Sequence, residues 1–168
     1  MTKRTRQYVG LLSAVAAYYI IHEGAHLVYA LCMGVFKSIN FMGLGVQIDI
    51  HRDLLTDTQL GIFCLLGAVA TQVAAYALVA LKNSICRSPS KLLRAVCYYV
   101  TIALLLLDPV YLSLLCGFVG GGDMNGIALL VPEPVARIGF GVLLIINAAV
   151  FWKAVLPCYT NLFKEDNT

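Results

Sequence analysis

The chain has 168 residues, of which 60% are apolar and 12% charged, and its 12 Lys and Arg against 9 Asp and Glu leave a formal net charge of +3. So few charged groups cannot cover a water-soluble domain, in which about 25% of residues are ordinarily charged, and the same figures exclude a disordered chain. The small, scattered positive charge also excludes nucleic acid as the expected partner, which leaves one compact integral membrane domain with the lipid bilayer as its outer shell.

The first apolar run, Tyr8 to Met33, follows Lys3, Arg4 and Arg6. It is longer than the core of a signal peptide and has no small-residue cleavage site, so it reads as a retained helical span. In its middle stand His22, Glu23 and His26, within His-Glu-Gly-Ala-His. Ionisable groups in hydrocarbon cost a few kcal/mol each and mark a site. On a helix turning 100° per residue, the two histidines lie about 40° apart on one face and one turn apart along the axis. Two imidazoles so placed can chelate one metal ion. Glu23 lies about 100° from His22 and 60° from His26, on the flank of that face, where a carboxylate can address water at the metal without being a ligand, the H-E-x-x-H arrangement of zinc hydrolases. The third histidine, His51, lies in the following polar connection and reads as a solvated surface residue.

That connection has alternating Val46, Ile48 and Ile50 against Gln47 and Asp49, with Gly43 and Gly45 to turn the chain. The pattern predicts a short β-hairpin at the membrane surface, with strands near 39–42 and 46–50. A second span runs from Gln59 to Leu81, where Gly61, Cys64, Ala68, Thr71 and Ala75 form a small-residue stripe suited to close helix packing. Gln72 adds a buried polar group, to be satisfied by a neighbouring helix or by substrate backbone. The third span, Leu92 to about Val119, contains Asp108-Pro109, and the proline predicts a kink or a division into two pieces. Gly120-Gly121-Gly122-Asp123-Met124-Asn125-Gly126 follows, and Val135 to Leu156 forms the fourth span. The expected fold is thus all-α and membrane-embedded, with four spans and one hairpin-like outer loop.

Basic residues gather before the first span, at Lys82, Arg87, Lys91 and Arg94 between the second and third, and at Lys153 and Lys164 near the end. The positive-inside rule then places both termini on the cytoplasmic side, the expected location being a bacterial cytoplasmic membrane. Cys32, Cys64, Cys86, Cys97, Cys116 and Cys158 include no C-x-x-C pair and read as small buried hydrophobes.

A catalytic zinc ordinarily takes three protein ligands. Asp108 and Asp123 are the two candidates for the third. Counted along straight helices, Asp108 lies level with the histidines, whereas Asp123 reaches them only if the chain folds back through Pro109 and the glycine run. The glycines would permit that approach.

The His22-Glu23-Gly24-Ala25-His26 motif, the outer β-like segment and the distal Gly/Asp/Asn motif together resemble the site-2 protease family of intramembrane zinc metalloproteases, over most of the chain. The resemblance implies one Zn2+ bound by His22, His26 and a distal aspartate, with Glu23 as catalytic base. It supports Asp123 over Asp108, although Asp123 is not followed directly by glycine and lacks the family's preceding asparagine and prolines. The expected activity is an intramembrane zinc endopeptidase acting on a membrane-spanning or membrane-associated peptide. An unwound substrate would add as a strand to the hairpin, with Val46, Gln47, Ile48, Asn125 and Gln72 as candidate substrate contacts. The alternatives are a membrane metal transporter or sensor using the same ligands without hydrolysis, and a noncatalytic protease-like peptide-binding protein.

Overall fold

The computed structural model describes residues 1–42, 45–120 and 122–165. Helix α1 (Lys3–Cys32) leads into an antiparallel hairpin of β1 (Phe36–Met42) and β2 (Gly45–Ile50). Helices α2 (Asp57–Cys86) and α3 (Lys91–Val110) follow. A π-helical turn at Tyr111–Leu115 joins α3 to the short α4 (Cys116–Val119) and α5 (Gly122–Ile127). Helix α6 (Glu133–Val150) then continues through a second π-helical turn into α7 (Leu156–Glu165). Four helical stretches are long and apolar enough to cross a membrane, namely Lys3–Cys32, Asp57–Cys86, Lys91–Val119 and Glu133–Thr160.

The first three stretches start earlier than their apolar runs because the polar residues before each run cap the helix, and the fourth starts at Glu133 after Pro132. Thr2 accepts from the Thr5 amide, Ser90 from the Leu93 amide, and Thr56 forms a reciprocal capping box with Gln59.

The buried residues of α1 are Gly10, Ala14, His22, His26 and Ala30, with partly buried Tyr18 completing a row at every fourth position. Such a row is the ridge along which helices pack, and it meets α2 and α3. A side-chain carbon at Gly10 would stand 2.5 Å from the Tyr99 ring, so glycine is what lets α3 approach. The small residues of α2, Gly61, Cys64, Ala68, Thr71 and Ala75, are all buried, as expected of a packing stripe. Outside this core lie exposed Leu12, Ile20, Val28, Val73, Ile138, Ile145 and Trp152, an apolar surface suited to lipid. All six cysteines are free; Cys64, Cys86 and Cys116 are buried, whereas Cys32 is exposed near the end of α1 and Cys97 and Cys158 are half-buried.

The hairpin differs from expectation in its depth. Gly34, with φ +69°, reverses the chain just after α1, and the Val35 amide then bonds back to the Ala30 carbonyl. From there the strands run back along α1, and the Ile48 amide reaches Glu23. Glu23 lies nine residues before the end of α1, about 14 Å along the axis. The hairpin therefore re-enters the bundle to the depth of the histidines and does not rest on its end. Ile39 pairs with Ile48 and Phe41 with Val46. Of the tip, Gly43 lies outside the described residues.

Pro109 leaves α3 without a donor for the Leu105 carbonyl, and α6 supplies one. Asn147 Nδ2 donates to that carbonyl at 2.6 Å and to Gln72 Oε1 at 2.7 Å. Gln72 Nε2 in turn donates to the Leu104 carbonyl, and the Tyr76 hydroxyl to Asn147 Oδ1. The span is thus modified at Asp108-Pro109 without being cut there; the π-helical turn absorbs the irregularity, and the helix ends at Gly120. Replacing Asn147 by Leu should destabilise the bundle by about 1–2 kcal/mol in a denaturant titration. The loss should be smaller in a Pro109→Ala background, where the restored amide takes over the Leu105 carbonyl.

Candidate metal centre

His22 and His26 stand on the ridge of α1 that faces α2 and α3, and both are buried. Their Nε2 atoms converge to 3.2 Å, and Asp123 Oδ2 lies 3.0 Å from His22 Nε2 while its Oδ1 lies 3.7 Å from His26 Nε2. Adjacent ligands of a tetrahedral ion with bonds near 2.0–2.1 Å are about 3.3 Å apart. One ligand atom from each of the three residues falls within a common 4.8 Å, so the group can hold a metal ion. Two histidine nitrogens and a carboxylate oxygen are suitable donors for a transition metal.

Asp123 arrives by a reversal of the chain. Helix α4 ends at Gly120, whose φ of +99° is open to glycine but costly for other residues, and α5 then packs against α2. At their contact, a side-chain carbon on Gly61 would stand 3.0 Å from the Gly126 carbonyl oxygen. The two glycines bring the backbones together and carry Asp123 to the histidines.

Asp108, the other candidate, occupies the opposite edge of the His22 ring. Its Oδ1 is 3.2 Å from Nδ1 and accepts a hydrogen bond from the Tyr18 hydroxyl at 2.5 Å. Its Oδ2 accepts from the Thr71 hydroxyl. The carboxylate is buried but stands outside the group of three. The depth estimate from a straight helix was sound for Asp108, yet level with the histidines is not the same as facing their converging nitrogens.

Glu23 lies on the flank of the histidine face, nearer in azimuth to His26 than to His22, and its Oε2 accepts from the Ile48 amide at 3.2 Å. The His51 amide bonds to Val35 on the β1 side, so the amides of Val46, Ile48 and Ile50 point away from β1. β2 therefore turns its free edge toward Glu23. The Ile50 amide on that edge is held by Asp49 Oδ1. Across the hairpin, the Lys37 ammonium at 2.9 Å hydrogen-bonds to the Asp49 carboxyl and holds it below its usual range.

Of the other expected contacts, Val46 is half-buried, Gln47 exposed and Ile48 buried beside Glu23. Gln72 uses both ends of its amide in the tie between α3 and α6. Asn125 is exposed and lines a cavity of about 270 Å³ with Cys116, Gly117, Gly120, Met124 and Glu133. His51 is exposed, as expected.

One residue of the centre was not among those expected. A side-chain carbon at Gly67 of α2 would lie 2.6 Å from both histidine Nε2 atoms, in the space an ion would need. Its signal was present in the sequence, since 67 continues the three- and four-residue spacing of the small stripe between Cys64 and Thr71.

No model of a known protein family, no curated protein and no solved structure matches the chain. The likeness to site-2 proteases thus rests on the residues themselves.

Gly67→Ala should reduce bound metal at least about tenfold, measured by elemental analysis of protein purified in detergent, because its methyl group occupies the centre. Gly24→Ala, at a position with nothing within 4 Å, should leave the metal content unchanged.

Proposed function

We propose that this chain is an intramembrane zinc endopeptidase. The observation that carries the reading is the conjunction of the His22, His26 and Asp123 cluster with Glu23, a carboxylate beside the cluster whose oxygen also meets the free edge of a β-strand. A metal transporter or sensor needs the ligands but has no use for that strand. A transport path also calls for polar groups along the span, whereas one end of the bundle is packed with Ala75, Leu104, Leu105, Val155 and Tyr159.

When bound, zinc supplies Lewis acidity toward a carbonyl oxygen and toward water. Glu23 accepts the proton of the attacking water and delivers it to the leaving amine. The free edge of β2 holds the substrate in an extended form, with peptide hydrogen bonds that tolerate varied side chains. A helical peptide must unwind to lie there, which exposes the bond to be cut. Water approaches past Asp123, whose side chain is 22% exposed, from the end where α4 turns into α5. The substrate is a membrane-spanning or membrane-associated peptide, and the positive-inside distribution puts the N-terminus of α1 on the cytoplasmic side of the membrane.

Glu23→Gln should keep the metal and lower the cleavage rate at least about 100-fold, measured on a transmembrane peptide in reconstituted vesicles. An unchanged rate with full metal occupancy would remove Glu23 from the base position. Ile48→Pro removes an amide that points away from β1, so the hairpin ladder survives. It should slow cleavage of helical peptides more than Ile48→Val does; equal rates for the two variants would refute strand addition at this edge.

A further inference from the structure

We propose that Asp108 is a positioning residue of the metal centre: clamped between Tyr18 and Thr71, it holds the His22 ring by Nδ1 so that Nε2 faces the ion. The inference rests on the reading of the cluster as a metal site.

The Asp108 carboxylate is 1% exposed and is met by side chains from two other helices. Oδ1 takes the Tyr18 hydroxyl from α1 and stands 3.2 Å from His22 Nδ1, while Oδ2 takes the Thr71 hydroxyl from α2. Tyr18 precedes His22 by one helical turn, and its ring lies against the imidazole at 5.3 Å and 27° between planes. Tyr18 thus restrains His22 directly by stacking and indirectly through Asp108. His22 Nδ1 is buried, close to the carboxylate without an aligned hydrogen bond, and makes no other hydrogen bond.

A metal-binding histidine must present one nitrogen as an acceptor, and the group at its other nitrogen determines which one. A carboxylate at Nδ1 favours the proton there and leaves the Nε2 lone pair for the metal. The geometry makes the two imidazoles unequal. His26 Nδ1 has no hydrogen-bond partner among the described residues, and its ring is set by packing against Phe63 at 4.6 Å. At the Nδ1 edge, His22 faces a carboxylate 3.2 Å away, whereas His26 has only ring packing there. A purely structural Asp108 would tie Tyr18 to Thr71 equally well without His22, so the distinction must be read at the metal.

The test uses the full chain in detergent. Zn2+ affinity is measured by competition with a chelating indicator, and the absorption spectrum of the Co2+-substituted protein is recorded for wild type, Asp108→Asn, Thr71→Val and Asp123→Ala. Asp108→Asn should weaken Zn2+ binding about 10- to 100-fold at a stoichiometry still near one, and should shift the Co2+ bands. Thr71→Val, nearly isosteric, should shift both readouts in the same direction by a smaller amount, and it carries the test if Asp108→Asn does not fold. Wild-type affinity and an unchanged Co2+ spectrum in a folded variant would refute the positioning role while leaving the centre intact. Stoichiometric binding that is lost with Asp108→Asn but kept with Asp123→Ala would make Asp108 a ligand and overturn the assignment. If wild type binds neither ion, the metal-site reading itself fails, and this inference with it.

Discussion

A polar group surrounded by apolar side chains has no water to turn to and must find its partner within the protein. That constraint organises the bundle around two adjacent residues of α3. Asp108 directs its carboxylate toward Tyr18, His22 and Thr71, while Pro109, by withholding an amide, frees the Leu105 carbonyl for Asn147. The first set ties α3 to α1 and α2, and the second ties it to α6 and, through Gln72, to α2 again. Much of what joins the four long helices thus passes through one dipeptide. Small residues, close packing and further hydrogen bonds, such as those of Tyr29 to the Gln59 carbonyl and Arg137 to the Ser113 carbonyl, complete the contacts.

Ligands alone do not make a site in so dense an interior; there must also be room. Gly67 leaves that room beside the two Nε2 atoms, and Gly61 and Gly126 let α5 come close enough to bring Asp123 to the same place. The three glycines act by absence of volume, one at the centre and two at the contact that supports it. This is a different use from that of Gly34 and Gly120, where positive φ values turn the chain.

What could be read from the sequence follows the range of the interactions concerned. The helices and the relation of His22 to His26 depend on spacing along one element, so a fixed 100° per residue placed them correctly. The small stripe of α2 was legible for the same reason, and Gly67 lay within its rhythm. The third member of the cluster, Asp123, was reached only through the resemblance, because counting residues along a straight helix compares depth and ignores direction. Asp108 has the right depth and faces the far edge of the ring, while Asp123 attains its position through a reversal at Gly120. The depth of the hairpin escaped for a related reason: Gly34 determines whether the strands run away from α1 or back along it, and alternation within 46–50 is the same in either case. Gln72 was recognised as buried and polar, but its partner Asn147 is 75 positions away.

The free edge of β2 has a further consequence. A strand with unpaired amides and carbonyls ordinarily invites a second copy of itself, a hazard increased by the crowding of a membrane. Here two successive outward amides, those of Ile48 and Ile50, are each covered by a carboxylate, from Glu23 and Asp49. Both contacts are made by side chains and not by a neighbouring strand. At these two positions the edge offers no free amide to a second strand. The same two side chains, Glu23 beside the histidines and Asp49 paired with Lys37 across the hairpin, thus also guard these outward amides of β2.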